Sequence, residues 1–149
     1  MPLLNYTTSV AVDRTLAQVQ SLLVKAGARQ MMTEFAENGT PAGLMFSIQT
    51  PQGLRAFTLP VEADRVQAVL RKDRAIQPRF KTPEHAERVA WRILKDWIAA
   101  QLAVTDAGLI SFDKLMLSFM MNGDKTVYEL LIDKHLALEP PKGHSSAGR

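Results

Sequence analysis

The sequence predicts an α+β fold, and two observations carry this prediction. Strand-like alternation and turn signals fill the first sixty residues, whereas an apolar period of 3.6 residues dominates the rest. With 149 residues and no cysteine, the chain is long enough to bury a core without disulfides or a thiolate metal site. We therefore expect one domain over residues 1–138, ordered β-α-β-β-β and then helices, with a small, mostly antiparallel sheet packed against a long central helix.

The N-terminal half contains the predicted sheet. Alternation over residues 4–12 predicts a first strand, and the capping-box pattern from Thr15 to Gln18 opens a helix over residues 15–26. Asn38-Gly39 then predicts a hairpin between residues 29–37 and 42–50. A further turn at residues 50–53 leads to a last strand over residues 54–59, which Pro60 closes.

The C-terminal half is predicted to be helical. Residues 62–72 form a short helix, and Thr82-Pro83-Glu84 caps a long helix over residues 83–106. Residues 111–121 fit both a helical stripe and a strand, so their structure stays open here. Thr126 caps a last helix over residues 127–136, and the polar tail, residues 139–149, is predicted to be disordered.

Positive charge is concentrated in one third of the chain. Residues 65–95 contain nine Lys or Arg and three acidic residues, a net +6, whereas the whole chain carries only +3. Clustered cations attract phosphates or acidic proteins, although they also occur on ordinary solvated helix faces. The candidate nucleic-acid contacts are Arg71, Lys72, Arg74, Arg79, Lys81, Arg88, Arg92 and Lys95.

Two further groups of residues have alternative interpretations. Trp91 and Trp97 lie beside the basic segment and could stack on bases, yet both belong to apolar ridges of the long helix, which favours the core. The crowded apolar segment around Met116, Phe119 and Met120 is interpreted as a self-association surface or as core filling. The first of these two interpretations predicts a homo-oligomer.

Signals of catalysis are absent. The three histidines are scattered, and the chain has no zinc-protease, phosphate-loop, dinucleotide-binding or nucleophile-elbow pattern. We therefore predict no catalytic residues, no metal and no cofactor, hence a protein that is not an enzyme. With neither a signal-peptide pattern nor a membrane-length apolar run, the expected location is the cytoplasm.

Five segments resemble a group of small, functionally unassigned proteins common in bacteriophages and integrated mobile elements. They are residues 5–8 (NYTT), 27–29 (GAR), 57–60 (FTLP), 88–97 (RVAWRILKDW) and 125–129 (KTVYE). The resemblance implies a phage-like context and no particular activity. Together with the charge, it predicts an accessory protein that binds single-stranded or structurally non-specific DNA. The alternative is a protein-binding module, such as a phage inhibitor of a host defence protein.

Overall fold

The computed structural model describes residues 1–135 and 138–143, and its architecture is the α+β fold that the sequence predicts. Three antiparallel strands, β1 (Ala28–Phe35), β2 (Pro41–Thr50) and β3 (Gly53–Pro60), form a sheet in the order β1-β2-β3. Both predicted hairpins are confirmed. The first closes through a five-residue loop in which Gly39 adopts a φ of +86°, a conformation that glycine tolerates best.

Two helices cover one face of the sheet. α1 (Val12–Lys25) and α3 (Pro83–Asp106) pack against each other and against the strands. α3 occupies the predicted residues, with Thr82 Oγ1 accepting a hydrogen bond from the amide of His85. Burial of apolar side chains between these layers stabilises the domain. The fully or almost fully buried core side chains include Val19, Leu23, Leu44, Phe46, Phe57, Leu59, Trp91 and Ile98.

The predicted first strand is wrong. Residues 4–7 form a turn, residues 8–11 pair with no strand, and α1 begins at Val12 rather than at Thr15. The reason is that this segment packs against α3 and the connector before it. Asn5 Nδ2 donates to Asp96 Oδ2 on α3 (2.9 Å), and the Tyr6 ring packs edge-on against Phe80 of the connector. Thr15, predicted to cap the helix, is buried instead.

A smaller apolar cluster joins α2 (Ala63–Lys72) to the other side of α3. Leu70 and Ile76 pack there against Ala86 and Val89, and the connector between α2 and α3 contains a 3-10 turn at Pro78–Phe80. The predicted helix over residues 62–72 is thus confirmed to within one residue.

The chain after α3 mixes both structures that the pattern of residues 111–121 allows. A helical turn, α4 (Phe112–Leu115), and a 3-10 turn (Leu117–Phe119) precede a hairpin of two short strands, β4 (Met121–Asn122) and β5 (Lys125–Thr126). Helical and alternating periods overlap because each element is only two to four residues long.

The last helix, α5 (Val127–Asp133), is shorter than the predicted 127–136. Thr126 and Glu129 form the capping box at its start, which confirms the predicted cap. Lys125 pairs with Asp133, and this hydrogen bond and attraction raise the pKa of the lysine above its ordinary value. Residues 138–143 are exposed outside helices and strands, and the remainder of the predicted tail, 144–149, lies outside the described residues.

Candidate nucleic-acid interface

Helices α1 and α3 place cations along one shallow groove. On α1, Arg14, Gln18, Ser21 and Lys25 recur every three or four residues and so share one helix face. Together with Lys95 of α3 they line a depression of about 420 Å³. The described lining of this depression contains three cations and no carboxylate, so the electrostatic potential there is positive.

Arg92 lies on the same face of α3 and is held by neutral partners. Its guanidinium Nη1 donates to Gln18 Oε1 at 2.5 Å and lies 3.4 Å from Thr15 Oγ1. An amide and a hydroxyl orient a guanidinium without cancelling its charge. Arg92 is therefore positioned across the α1–α3 contact and keeps its full positive charge for a ligand.

Arg88 continues the row of cations toward the start of α3. Its Nη2 lies 3.3 Å from Nδ1 of the buried His85, whose Nε2 lies 2.5 Å from the Tyr6 carbonyl oxygen. A guanidinium only donates and a carbonyl only accepts, so this pattern fits a neutral imidazole with its proton on Nε2. His85 consequently anchors the N-terminal segment and Arg88 through hydrogen bonds.

Beyond Arg88, the surface becomes mixed in charge. A depression of about 460 Å³ is lined by the hydroxyl groups of Thr7, Thr8 and Ser9 and by two cations, Arg79 and Arg88. Glu84 and Glu87 line it as well and balance those cations. A polyanion is accommodated better along the α1–α3 groove than in this second depression.

Lys95 pairs with an acidic neighbour. Its Nζ lies 3.6 Å from Asp96 Oδ1, while the other oxygen of that carboxylate accepts the hydrogen bond from Asn5. Such a partly exposed ion pair is worth little, about 0–1 kcal/mol. Lys95 can therefore exchange Asp96 for a phosphate at small cost.

The structure unites only part of the predicted set. Arg88, Arg92 and Lys95 line the α1–α3 side, as their spacing predicts. Arg79 reaches the mixed depression with its guanidinium over the Phe80 ring, 4.6 Å from the centroid. The other predicted contacts end α2 or lie in the connector and line neither depression: Arg71, Lys72, Arg74 and Lys81.

Two cations of the groove lie outside the set predicted from the sequence. Arg14 and Lys25 lie on α1, outside the basic third of the chain, so a charge count along the sequence does not single them out. Their spacing of eleven residues, which returns to the same face after three helical turns, was the available signal. Recognising it requires knowing that this face of α1 borders α3.

The tryptophans are core residues. Trp91 has no exposed surface, and its indole Nε1 donates to the Pro41 carbonyl oxygen at 3.1 Å. Trp97 is partly buried and packs edge-on against Phe119, with 5.7 Å between ring centroids. Neither ring lines the groove. Base stacking on these tryptophans therefore does not contribute to the interface.

The segment predicted for self-association also packs inward. Met116 has no exposed surface and belongs to the core, which leaves it no area for a partner. Phe119 and Met120 are partly buried against that core, and Met120 forms an isolated β-bridge with Phe57. The crowding of apolar residues here serves to close the sheet at β3.

Two further features bear on function. Within residues 1–135 and 138–143, no group of three or more His, Cys, Asp or Glu side chains is arranged to hold a metal ion. Among the helices in these ranges, none combines the length and apolar character needed to cross a membrane.

Comparison of the chain with protein-family models, curated proteins and solved structures finds no match.

Proposed function

We propose that this protein binds nucleic acid through the α1–α3 groove, without catalysis and without reading sequence. The observation that carries the proposal is a row of five cations on α1 and α3. Arg14, Lys25 and Lys95 line the groove, and Arg92 and Arg88 extend the row along α3 with neutral hydrogen-bond partners. Phosphate neutralisation by Lys and Arg dominates non-specific nucleic-acid affinity, because it releases condensed counterions. The ligand we favour is single-stranded or structurally non-specific DNA.

The shape of the groove supports a backbone ligand. Arg88 and Lys95 are seven positions apart on α3, about 10 Å along the helix axis, so the cations form a row rather than a single point. The groove is also shallow and has no described aromatic lining. Contacts of this kind position a phosphate backbone and carry no direct sequence information. An accessory role in phage replication or recombination remains part of this proposal.

Fluorescence polarisation with labelled single- and double-stranded oligonucleotides tests it. If all five cations of this row contact phosphates of a single strand, log affinity falls with log salt at a slope of about −3.5. Affinity should then decrease roughly a hundredfold between 50 and 200 mM salt. Oligonucleotides of unrelated sequence should bind about equally.

A matched pair of double variants locates the interface. Arg14→Glu with Lys95→Glu reverses two charges inside the groove, and Arg71→Glu with Lys72→Glu reverses two exposed charges at the end of α2. We expect the first pair to lower the salt slope by about 1.4 and the second to leave it nearly unchanged. Equal effects of both pairs, or no binding at low salt, would refute the groove as the nucleic-acid site.

One observation favours the alternative of a protein partner. The face of the sheet that points away from α1 and α3 carries Met32, Met45 and Leu54, and a depression of about 480 Å³ opens beside them. Apolar surface of this kind is typical of protein-binding sites. Binding there would change little with salt, which separates it from phosphate binding.

A further inference from the structure

The two edges of the sheet differ. At the β3 edge, Met120 bridges Phe57 and the segment that follows packs alongside. At the opposite edge, β1 pairs with β2 and with no other strand among the described residues. An unpaired edge strand is a template for pairing with another chain. The structure therefore has one free edge, formed by residues 28–35.

The outward backbone groups of β1 can be assigned from the pairing of β2 with β3. The amide of Val61 donates to the Ala42 carbonyl at 2.8 Å, so every second residue of β2 from Ala42 directs its backbone groups toward β3. The residues of β1 opposite these positions, Met31 and Thr33, therefore have their N–H and C=O groups facing away from β2. Phe35 lies beyond a register shift and also faces away, because its neighbour Ala36 donates to the Thr40 carbonyl. Three successive donor and acceptor sites are thus presented at the edge.

β1 has few of the common protections against pairing. It contains neither proline nor lysine, and its register against β2 is regular from Gln30 to Glu34, with shifts only at its two ends. Its eight residues make it longer than a typical strand. Two of its apolar side chains are largely exposed, Met32 at 61% and Phe35 at 64%. Exposed apolar groups next to open backbone sites favour a partner strand over solvent.

The charges along this edge are self-complementary, so two antiparallel copies of it attract each other. Arg29 lies at the start of β1, whereas Glu34 lies near its end and Glu37 follows in the hairpin loop. Two copies of β1 running antiparallel bring the basic end of each beside the acidic end of the other. The same edge approached in parallel orientation would place like charges together, which is destabilising.

We propose that β1 pairs antiparallel with β1 of a second copy, giving a dimer with a continuous six-stranded sheet. The two-fold axis is perpendicular to the sheet, because only that axis makes two identical strands antiparallel and keeps their faces aligned. Both helical layers then lie on one side of the sheet. This proposal concerns assembly and does not depend on what the α1–α3 groove binds.

Sedimentation velocity over a wide concentration range tests the dimer. Each dimer contains the Arg29–Glu34 juxtaposition twice, so Arg29→Glu or Glu34→Arg replaces two attractive contacts with two repulsive ones. We expect either change to weaken dimerisation roughly ten- to thirtyfold. The double variant, with both charges exchanged, should restore the wild-type dissociation constant. Arg74→Glu, an exposed charge reversal in the connector, should not alter it.

Hydrogen exchange provides a second readout that does not depend on variants. Amides of residues 28–35 should exchange more slowly as protein concentration rises, because pairing covers the outward N–H groups. A chain that stays monomeric at every concentration overturns the proposal. Three other results also overturn it. They are a dimer dissociation constant that the single charge reversals leave unchanged, a double variant whose dimer is still weaker than the wild type, and amide exchange in β1 that does not depend on concentration.

Discussion

Trp91 is the side chain whose removal should cost this fold the most. It is fully enclosed between the sheet and the helices, and its indole N–H satisfies the Pro41 carbonyl at the start of β2. Trp91→Ala therefore removes a large packed ring and a hydrogen bond at once. Trp97→Ala serves as the matched comparison, because it removes the same side chain from a partly buried site on the same helix.

The two substitutions should differ clearly in magnitude. Deleting a fully packed aromatic costs about 3–5 kcal/mol, and leaving the carbonyl unpaired adds about 1–3 kcal/mol. Trp97 loses a smaller buried area and one edge contact with Phe119, so we expect about 2–3 kcal/mol there. Trp91→Phe keeps most of the ring but loses the donor, and should cost about 1–3 kcal/mol.

Urea unfolding followed by circular dichroism measures these differences as changes in the free energy of unfolding. In thermal melts, at about 2–4 °C for each kcal/mol, Trp91→Ala should lower Tm by roughly 10 °C or more. Equal costs for Trp91→Ala and Trp97→Ala would refute the reasoning. A Trp91→Ala variant that stays stable and loses only ligand binding would also contradict its assignment to the core.

Four other substitutions test three local features. Ser47 Oγ is buried without a hydrogen-bond partner among the described residues, so Ser47→Ala should be neutral or stabilising. Thr50→Ala should instead lower the free energy of unfolding by about 1 kcal/mol, because Thr50 Oγ1 donates to the Gly53 carbonyl. Parallel urea titrations of the two variants measure this difference. Thr126→Ala removes half of the capping box and should destabilise α5 by about 1 kcal/mol. Amides at the start of that helix should then exchange faster with solvent, and unchanged exchange would mean that the cap is dispensable. His85→Ala should release the N-terminal segment, so limited proteolysis should cut before residue 12 sooner than in the wild type, and an equal rate would show that Asn5 and Tyr6 are held by other contacts.

The sequence predicted best where one local signal agreed with the tertiary structure. Thr82 at the N-cap and Pro83 at the first position of α3 located its start, and the two hairpins followed from their turn residues. The first strand was predicted wrongly because alternation over residues 4–12 indicates a half-buried extended chain but does not indicate which element covers it. Its cover is α3, through Asn5 and Tyr6, so no strand forms.

The candidate site was predictable on one of its two sides. Arg88, Arg92 and Lys95 share a helix face, which spacing alone determines. Which element faces them depends on tertiary packing, and Arg14 and Lys25 come from a helix about seventy residues away in sequence. The burial of Met116 in the core could not be predicted from the sequence either, because an apolar pattern does not distinguish a core from an interface.

The bonds that tie the N-terminal segment to α3 also set an order of events during synthesis. Asn5 precedes its partner Asp96 by 91 residues, and Tyr6 precedes His85 by 79. At about 5–20 residues per second, a ribosome needs roughly 4–18 s to supply these partners after the segment has been made. Residues 3–6 thus emerge early and dock late. Any factor that binds the nascent chain meets Leu3 and Tyr6 while both are still uncovered.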